Sequence, residues 1–414
     1  MGLMLCSSLA FASRSAGENW PHWRGPQHNG VSSETGLPIQ WDSEKNVVWK
    51  LPLPETSGAT PIIWGNHIFL NVADGKNLLL WSVNRIDGTI IWMRQLDNRN
   101  EDKRKGNMSS PSPVTDGELV WVMTGTGILT GFDFAGRELW RHDLQKEYGK
   151  FGILHGYSSS PLLHRDTLYV QVLHGFFTDD PSYVLALDKK SGQVRWWVER
   201  PTDAPKEAPD AYTTPALLQR DGKTVIVVTG ADYVTGHDPE TGKEIWRVGG
   251  LNPTHNPVQR IVASPIVMGE MIFAPSRIRP LLALSTAAGI DREPTVVWSM
   301  DRGPDVPTPI VDGRHIYLLN DKGILWCLDA QSGEPVWGPE RIEPAIYSAS
   351  PVLADGKLYA TSEQGLTTVI QAGLDFKILA ENPIDEYTLA SLAIANGQIF
   401  LRTAGNLYSI EKRN

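Results

Sequence analysis

The sequence predicts an all-β fold: an eight-bladed β-propeller of four-stranded antiparallel blades, closed by an N-terminal strand that completes the last blade. Three observations predict it. A Ser/Thr-Pro step followed by an apolar hairpin recurs along the 414 residues, eight copies spaced 41 to 54 residues apart. A second hairpin ending in tryptophan alternates with it, in a chain carrying 15 Trp, 38 Gly and 29 Pro. The last repeat stops before its final strand, while an unpartnered strand stands near the N-terminus. A single core rarely grows past about 250–300 residues, so a chain this long must add core by the unit or divide into domains.

The first hairpin of each unit appears as ATPIIWGNHIFL from Ala59, SPVTDGELVWV from Ser112, SPLLHRDTLYV from Ser160 and TPALLQRDGKTVIVV from Thr214. It recurs as SPIVMGEMIFA from Ser264, TPIVDGRHIYLL from Thr308, SPVLADGKLYA from Ser350 and, without the proline, SLAIANGQIFL from Ser391. Asp116-Gly117, Asp221-Gly222, Asp312-Gly313, Asp355-Gly356 and Asn396-Gly397 are expected to supply the positive φ of tight hairpin turns. The proline is expected at the first position of a strand, where a missing N–H is tolerated.

The second hairpin reads Asp/Asn-x3-Gly-x3-Trp in four units, ending at Trp92, Trp196, Trp246 and Trp337. The copy ending at Trp140 is one residue shorter in its turn. The carboxylate or amide side chain can bond the turn backbone, and the glycine takes the left-handed position. The tryptophans, with Trp49 and Trp298, are expected to pack each outer strand against the neighbouring blade. Two units depart from the pattern. An insertion, STAAGIDREPT, interrupts the fifth, and TTVIQAGLDFKILA in the seventh has no tryptophan. Four strands every 40–50 residues are the signature of a propeller. Pairing Asn46–Leu53 with the last repeat removes an open sheet edge and sets the count at eight blades.

These compound repeats resemble the quinoprotein (PQQ-like) propeller family, from about Asn46 to the C-terminus. The leader NWPHWRGPQHNGVSSETGLPIQW, Asn19 to Trp41, resembles the segment preceding such propellers in the BamB-like group of exported outer-membrane assembly factors. The resemblance implies one of two functions, because fold does not fix function. Quinoprotein dehydrogenases oxidise alcohols or sugars with PQQ and calcium in the central funnel, beneath a vicinal Cys-Cys disulfide. This chain has no Cys-Cys pair, and no catalytic residue can be carried over from those enzymes. The assembly-factor type keeps the repeats, lacks the cofactor site and binds proteins through its loops. The expectation is therefore an exported, non-catalytic scaffold at the periplasm or cell envelope, monomeric, with protein partners and no cofactor. PQQ with calcium in a diverged oxidoreductase is the alternative, and a polysaccharide-binding module is a third reading.

The segment before each Ser/Thr-Pro step should enter the innermost strand and line the channel mouth. Reading back from each step gives Tyr157, Tyr212, Arg260, Asp305, Tyr347 and Tyr387 as candidate ligand-binding residues. The same mixture also suits an ordinary solvated funnel. His155 and His174 fall near one blade, but no carboxylate stands at ligand spacing, so no metal is expected. Arg277 and Arg279 read as partners of Asp301 or Asp305. The cluster Asp97 to Lys105 reads as a solvated loop.

The formal charge is −9 and there is no basic stripe, which argues against nucleic acid. The start, MGLMLCSSLAFAS, reads as a short signal peptide over residues 1–12, followed by a leader over 13–45 and the propeller over 46–414. Lipidation at Cys6 is the less favoured alternative, since Leu5 precedes it. Of the two cysteines, Cys327 in an apolar strand reads as a packed thiol, and neither zinc nor a disulfide is expected. No segment reaches the roughly 18 apolar residues of a membrane helix. No nucleophile elbow, P-loop or dinucleotide fingerprint appears.

Overall fold

The computed structural model describes residues 17–277 and 280–413; the proposed signal segment, Cys6 and Arg279 lie outside them. Eight sheets form the eight antiparallel blades of a β-propeller, with one short helix among the described residues, at Leu144–Tyr148. Blade 1 runs through Ile62–Trp64, His67–Asp74, Asn77–Asn84 and Ile90–Asp97, from the axis outward. Blades 2 to 7 repeat this order, ending at Asp143, Glu199, Val248, Met300, Arg341 and Pro383. Blade 8 takes three strands from the C-terminus, Ala393–Ala395, Gln398–Arg402 and Asn406–Glu411. Its fourth is Val47–Pro52, antiparallel to the last, with Trp49 opposite Ser409 and Leu51 opposite Leu407. The two ends of the propeller are therefore joined within one sheet.

The hairpin turns divide into two kinds. In Asp221-Gly222, Asp355-Gly356 and Asn396-Gly397 both residues take positive φ, as two-residue turns demand. At Asp116 and Asp312 only the glycine does, which corrects the expectation for those two pairs. There the loop has a third residue, and the carboxylate accepts two backbone N–H groups beyond it: Glu118 and Leu119, or Arg314 and His315. The prolines stand one residue before the innermost strands and not within them, so no ladder position loses a donor.

The tryptophans explain the second hairpin. Trp49, Trp92, Trp140, Trp196, Trp246, Trp298 and Trp337 each donate their indole N–H to a turn carbonyl of the next blade, at 2.8–3.1 Å. In five seams the ring lies on the glycine of that turn; a Cβ on Gly242 would stand 2.4 Å from Trp196 Cε3. The motif therefore joins neighbouring blades: the glycine receives the preceding blade's tryptophan, and its own tryptophan reaches the following one. In the fifth unit the insertion supplies the acceptor, the Ile290 carbonyl.

Blade 7 has no such tryptophan because blade 8 has no such turn. The chain ends stand where that turn would be, with Glu411 N–H on the Asn46 carbonyl. The leader fills the gap. Trp41, buried, stacks on Tyr359 at 6.3 Å, while Trp41 N–H and the Ile39 carbonyl bond the Asn382 side chain of the outer strand. Tyr359 corresponds to Phe69, Tyr169, Phe273, Tyr317 and Phe400 in other blades, each of which faces its outer-strand tryptophan at 5.9–6.2 Å.

A second set of bonds circles the axis. The backbone N–H of Thr60 donates to the Ser112 hydroxyl, and Ser112 N–H to Ser160. The relay continues through Thr214, Ser264, Thr308 and Ser350 to Ser391, seven bonds of 2.9–3.1 Å. Across the remaining seam the buried Arg402 guanidinium donates to the Ala59 and Asn71 carbonyls, and burial holds it down at about 9.

The leader closes one end of the channel. Trp20 pairs with Ile63 of blade 1, and the Pro21 carbonyl accepts Thr115 N–H of blade 2. Buried Arg24 reaches the Pro309 and Pro351 carbonyls of blades 6 and 7. Val31–Ser32 adds a parallel fifth strand to blade 7, and Glu34 caps the Asn396-Gly397 turn of blade 8.

Two outcomes follow for stability. Gly242→Ala combines a left-handed backbone with a clash against Trp196 and should cost about 3 kcal/mol, whereas Gly222→Ala, with open space around it, should cost about 1 kcal/mol. Denaturant titration of both variants measures the difference. Trp41→Ala should destabilise by about 3–5 kcal/mol, as for a core tryptophan, although it lies outside the repeats.

Candidate functional site

On the side of the propeller away from the leader, the axis opens into a cavity of about 410 Å³. Its lower wall is the ring of seven Ser/Thr side chains from Ser112 to Ser391, and Trp23 of the leader also lines it. Its upper wall comes from the connections between blades and from the turns between second and third strands. Both kinds of segment meet on this side because every innermost strand starts here and every second strand ends here.

Four of the six candidates from the sequence line the cavity: Tyr212, Arg260, Asp305 and Tyr347. Tyr157 and Tyr387 do not, which corrects the reading for those two. Ser158 and Ser160 line the cavity, whereas Tyr157 is buried and its hydroxyl donates to the Gln171 carbonyl at 2.8 Å. Tyr387 is 38% exposed, outside the lining, its segment tied to the blade 8 turn by Ala404 N–H on its carbonyl. Tyr347 is buried, with its hydroxyl donating to the Glu343 carbonyl. Tyr212 uses its hydroxyl as acceptor for His155 N–H, at 3.1 Å.

The sequence reading missed part of the wall. Arg104 and Lys105 line the cavity, so the Asp97 to Lys105 cluster is more than a solvated loop. Lys105 reaches blade 7, 2.5 Å from Glu363 and 3.2 Å from the Ser348 hydroxyl. His155 and Asp321 line it too. Asp321 and Arg277 share a position, the turn from second to third strand, which was the available signal. Arg277 pairs with Asp305 at 3.7 Å, as one of its two expected partners, and donates to the Val258 carbonyl. His155 and His174 have different surroundings. His155 stands 3.7 Å from Glu207. The backbone of His174 exchanges hydrogen bonds with Ser182, and its buried ring lies near Phe151. Among the described residues no group of three His, Cys, Asp or Glu is placed to hold a metal ion. Cys327 is buried and free, and burial pushes its thiol up to about 12.

Charge around the cavity is largely paired: Lys105 faces Glu363, Arg260 faces Glu207 and Arg277 faces Asp305. The lining carries Arg104, Lys105, Arg260 and Arg277 against Asp305 and Asp321. Burial pushes Asp305 up to about 6 even though Arg260 and Arg277 pull it down, so desolvation outweighs the ion pair there. His155 is lowered by burial and then by the nearby Arg260. Just behind the wall, Asp210 accepts Leu154, Gly175 and Phe176 N–H groups at 2.8–3.3 Å and thereby fixes two loops of the mouth. Burial raises it to about 6 as well.

The raised carboxyls give a pH dependence of definite sign. In the folded chain Asp305 holds its proton up to about pH 6, whereas an unfolded carboxyl releases it near 4. Its contribution to stability is therefore lost as pH rises from about 4 to about 6. The stability of Asp305→Asn relative to the parent should rise across that interval and level off above it, as measured by denaturant unfolding at several pH values.

The comparisons with known proteins agree with this architecture. The outer membrane protein assembly factor BamB of Alkalilimnicola ehrlichii is 28% identical over 163 residues, 36% of this chain and 40% of that relative. The alignment thus spans two fifths of that protein's length. The crystal structure of BamB from Moraxella catarrhalis superposes with a TM-score of 0.66 at 14% identity, covering 88% of this chain and 99% of that one. A quinohemoprotein alcohol dehydrogenase from Comamonas testosteroni gives 0.69 at 12% identity, covering 96% and 81%. Both likenesses show the shared fold alone. The sequence profile described as outer membrane protein assembly factor BamB matches residues 28–170 and 108–338, more than half of the chain. By that match, and with eight blades built from its repeat, the chain belongs to the BamB family of outer membrane protein assembly factors.

Proposed function

We propose that this protein is an exported, non-catalytic scaffold of the cell envelope that acts as a monomer and binds a partner protein through the loops around its axial cavity. Family membership supports the class of function. The observation that carries the surface is a pair of exposed aromatic rings. Phe176 and Phe177, 39% and 65% exposed, stand edge to face at 4.6 Å on the turn between second and third strands of blade 3. Asp210 holds that turn through Gly175 and Phe176 N–H, so the rings are presented by a fixed loop. Val258 and Ile346, 46% and 47% exposed, belong to other connections on the same side. Rigid aromatic anchors beside a polar mouth are the composition of a protein-binding hot spot. The partner this surface fits presents an apolar face over the Phe pair.

A quinone with calcium fits these residues poorly. Calcium takes six to eight oxygen ligands, whereas the cavity lining offers two carboxylates, one of them paired with Arg277. No step is assigned to such a group.

A photo-crosslinking residue in place of Phe177, in cells, should join the chain to a component of outer-membrane assembly. Phe176→Ser with Phe177→Ser should weaken co-purification of that component by about tenfold or more, with unchanged thermal unfolding. Absence of any crosslink there removes the surface. Alcohol-dependent dye reduction after addition of PQQ and calcium would overturn the non-catalytic reading.

A further inference from the structure

We propose that the axial cavity is an oxyanion-binding site, shaped for carboxylate groups, in which a crown of hydroxyl donors works with the Arg104 guanidinium above it. This does not rest on the partner-protein surface: the Phe pair and the cavity are separate features.

The crown follows from the inter-blade relay. Each Ser or Thr hydroxyl in it uses its oxygen to accept the neighbouring N–H. A hydroxyl also has one proton to give. None of these seven hydroxyls donates to an acceptor among the described residues, yet all seven line the cavity and each residue is at least nine-tenths buried. Six of the seven also donate their backbone N–H within the relay. What the wall offers inward is therefore a ring of O–H donors, and their natural complement is an acceptor with several lone pairs. Eight repeats of one motif place these donors at one level, which single loops could not do.

The charges above the ring point the same way. Arg260 meets Glu207 only at 3.4 Å, through Nε, and makes no hydrogen bond among the described residues. Arg104 lines the cavity with neither an ion pair nor a hydrogen bond among them. Lys105, Arg260 and Arg277 each face a carboxylate, Glu363, Glu207 and Asp305, so Arg104 is the cation of the lining left to meet an added anion. Guanidinium forks match carboxylates in two bonds at once. At about 410 Å³ the space exceeds a bare ion and suits either a small polycarboxylate or the acidic side chains of an inserted polypeptide.

Isothermal titration of the whole protein at low salt tests this with two probes, citrate and an acetylated tetraglutamate peptide, with tetraglutamine as the neutral control. Citrate alone binding identifies a free carboxylate as the ligand. Tighter binding of the glutamate peptide identifies a polypeptide source. In either case Arg104→Gln should weaken binding by about threefold to fivefold, and high salt should weaken it further. Ser264→Ala should weaken it as well; because that change also removes a relay bond, its thermal unfolding is measured alongside, and Arg104→Gln, which breaks no contact, keeps the test independent of folding. Failure of both probes at millimolar concentration overturns the site. So does binding that ignores both Arg104→Gln and salt. Loss of the Phe177 crosslink with citrate binding intact would remove the partner surface and leave this site standing.

Discussion

The indole N–H of each of the seven outer-strand tryptophans finds its acceptor in the next blade. A blade alone exposes two apolar faces, and a tryptophan on its outer strand has nothing to cover it. Set against its neighbour, the ring lies on a turn where a glycine leaves room and a carbonyl stands within 2.8–3.1 Å. One contact thus supplies apolar burial and satisfies the donor. Because the turn that receives one tryptophan is followed, after three or four residues, by the next, the contact propagates around the ring. Its one interruption lies where the chain ends replace the turn, and there Trp41 of the leader covers Tyr359.

The functional geometry depends on that closure. Seven relay bonds hold the innermost strands in step at the axis, and the same hydroxyls become the lower wall of the cavity. The leader shuts the opposite end with Arg24 buried across two blades. A funnel with one mouth results, and the loops that differ most between blades surround it. Their variation is tolerated because the scaffold is held by the seams and the relay. The charged residues Arg104, Lys105, Arg260 and Arg277 therefore sit at the mouth with little cost to the core.

Family and site give complementary information. The repeat that defines the BamB family fixes a scaffold shared with quinohemoprotein enzymes, so the fold leaves the choice between binding and catalysis open. The side chains at the mouth bear on that choice: exposed Phe176 and Phe177 suit a protein surface, and Arg104 without an ion pair above hydroxyl donors suits an anion.

The sequence by itself determined the blade count, the strand order and the closure, because a period near 45 residues and an orphan strand at each end admit few other arrangements. It also determined the outer-strand role of Trp49, Trp92 and their equivalents, since one side chain at one offset from a turn meets the same surroundings each time. Tertiary structure alone decided what lies between units. Asp97 to Lys105 has no periodicity that could place Lys105 beside Glu363 of blade 7. Only the folded chain shows that Tyr157 is buried with its hydroxyl on the Gln171 carbonyl while Tyr212 lines the cavity. The purpose of the Ser/Thr before each proline was equally hidden, because its partner is the same residue one blade away. A local pattern can announce a hairpin; only the closed ring brings the hairpins close enough to make a wall.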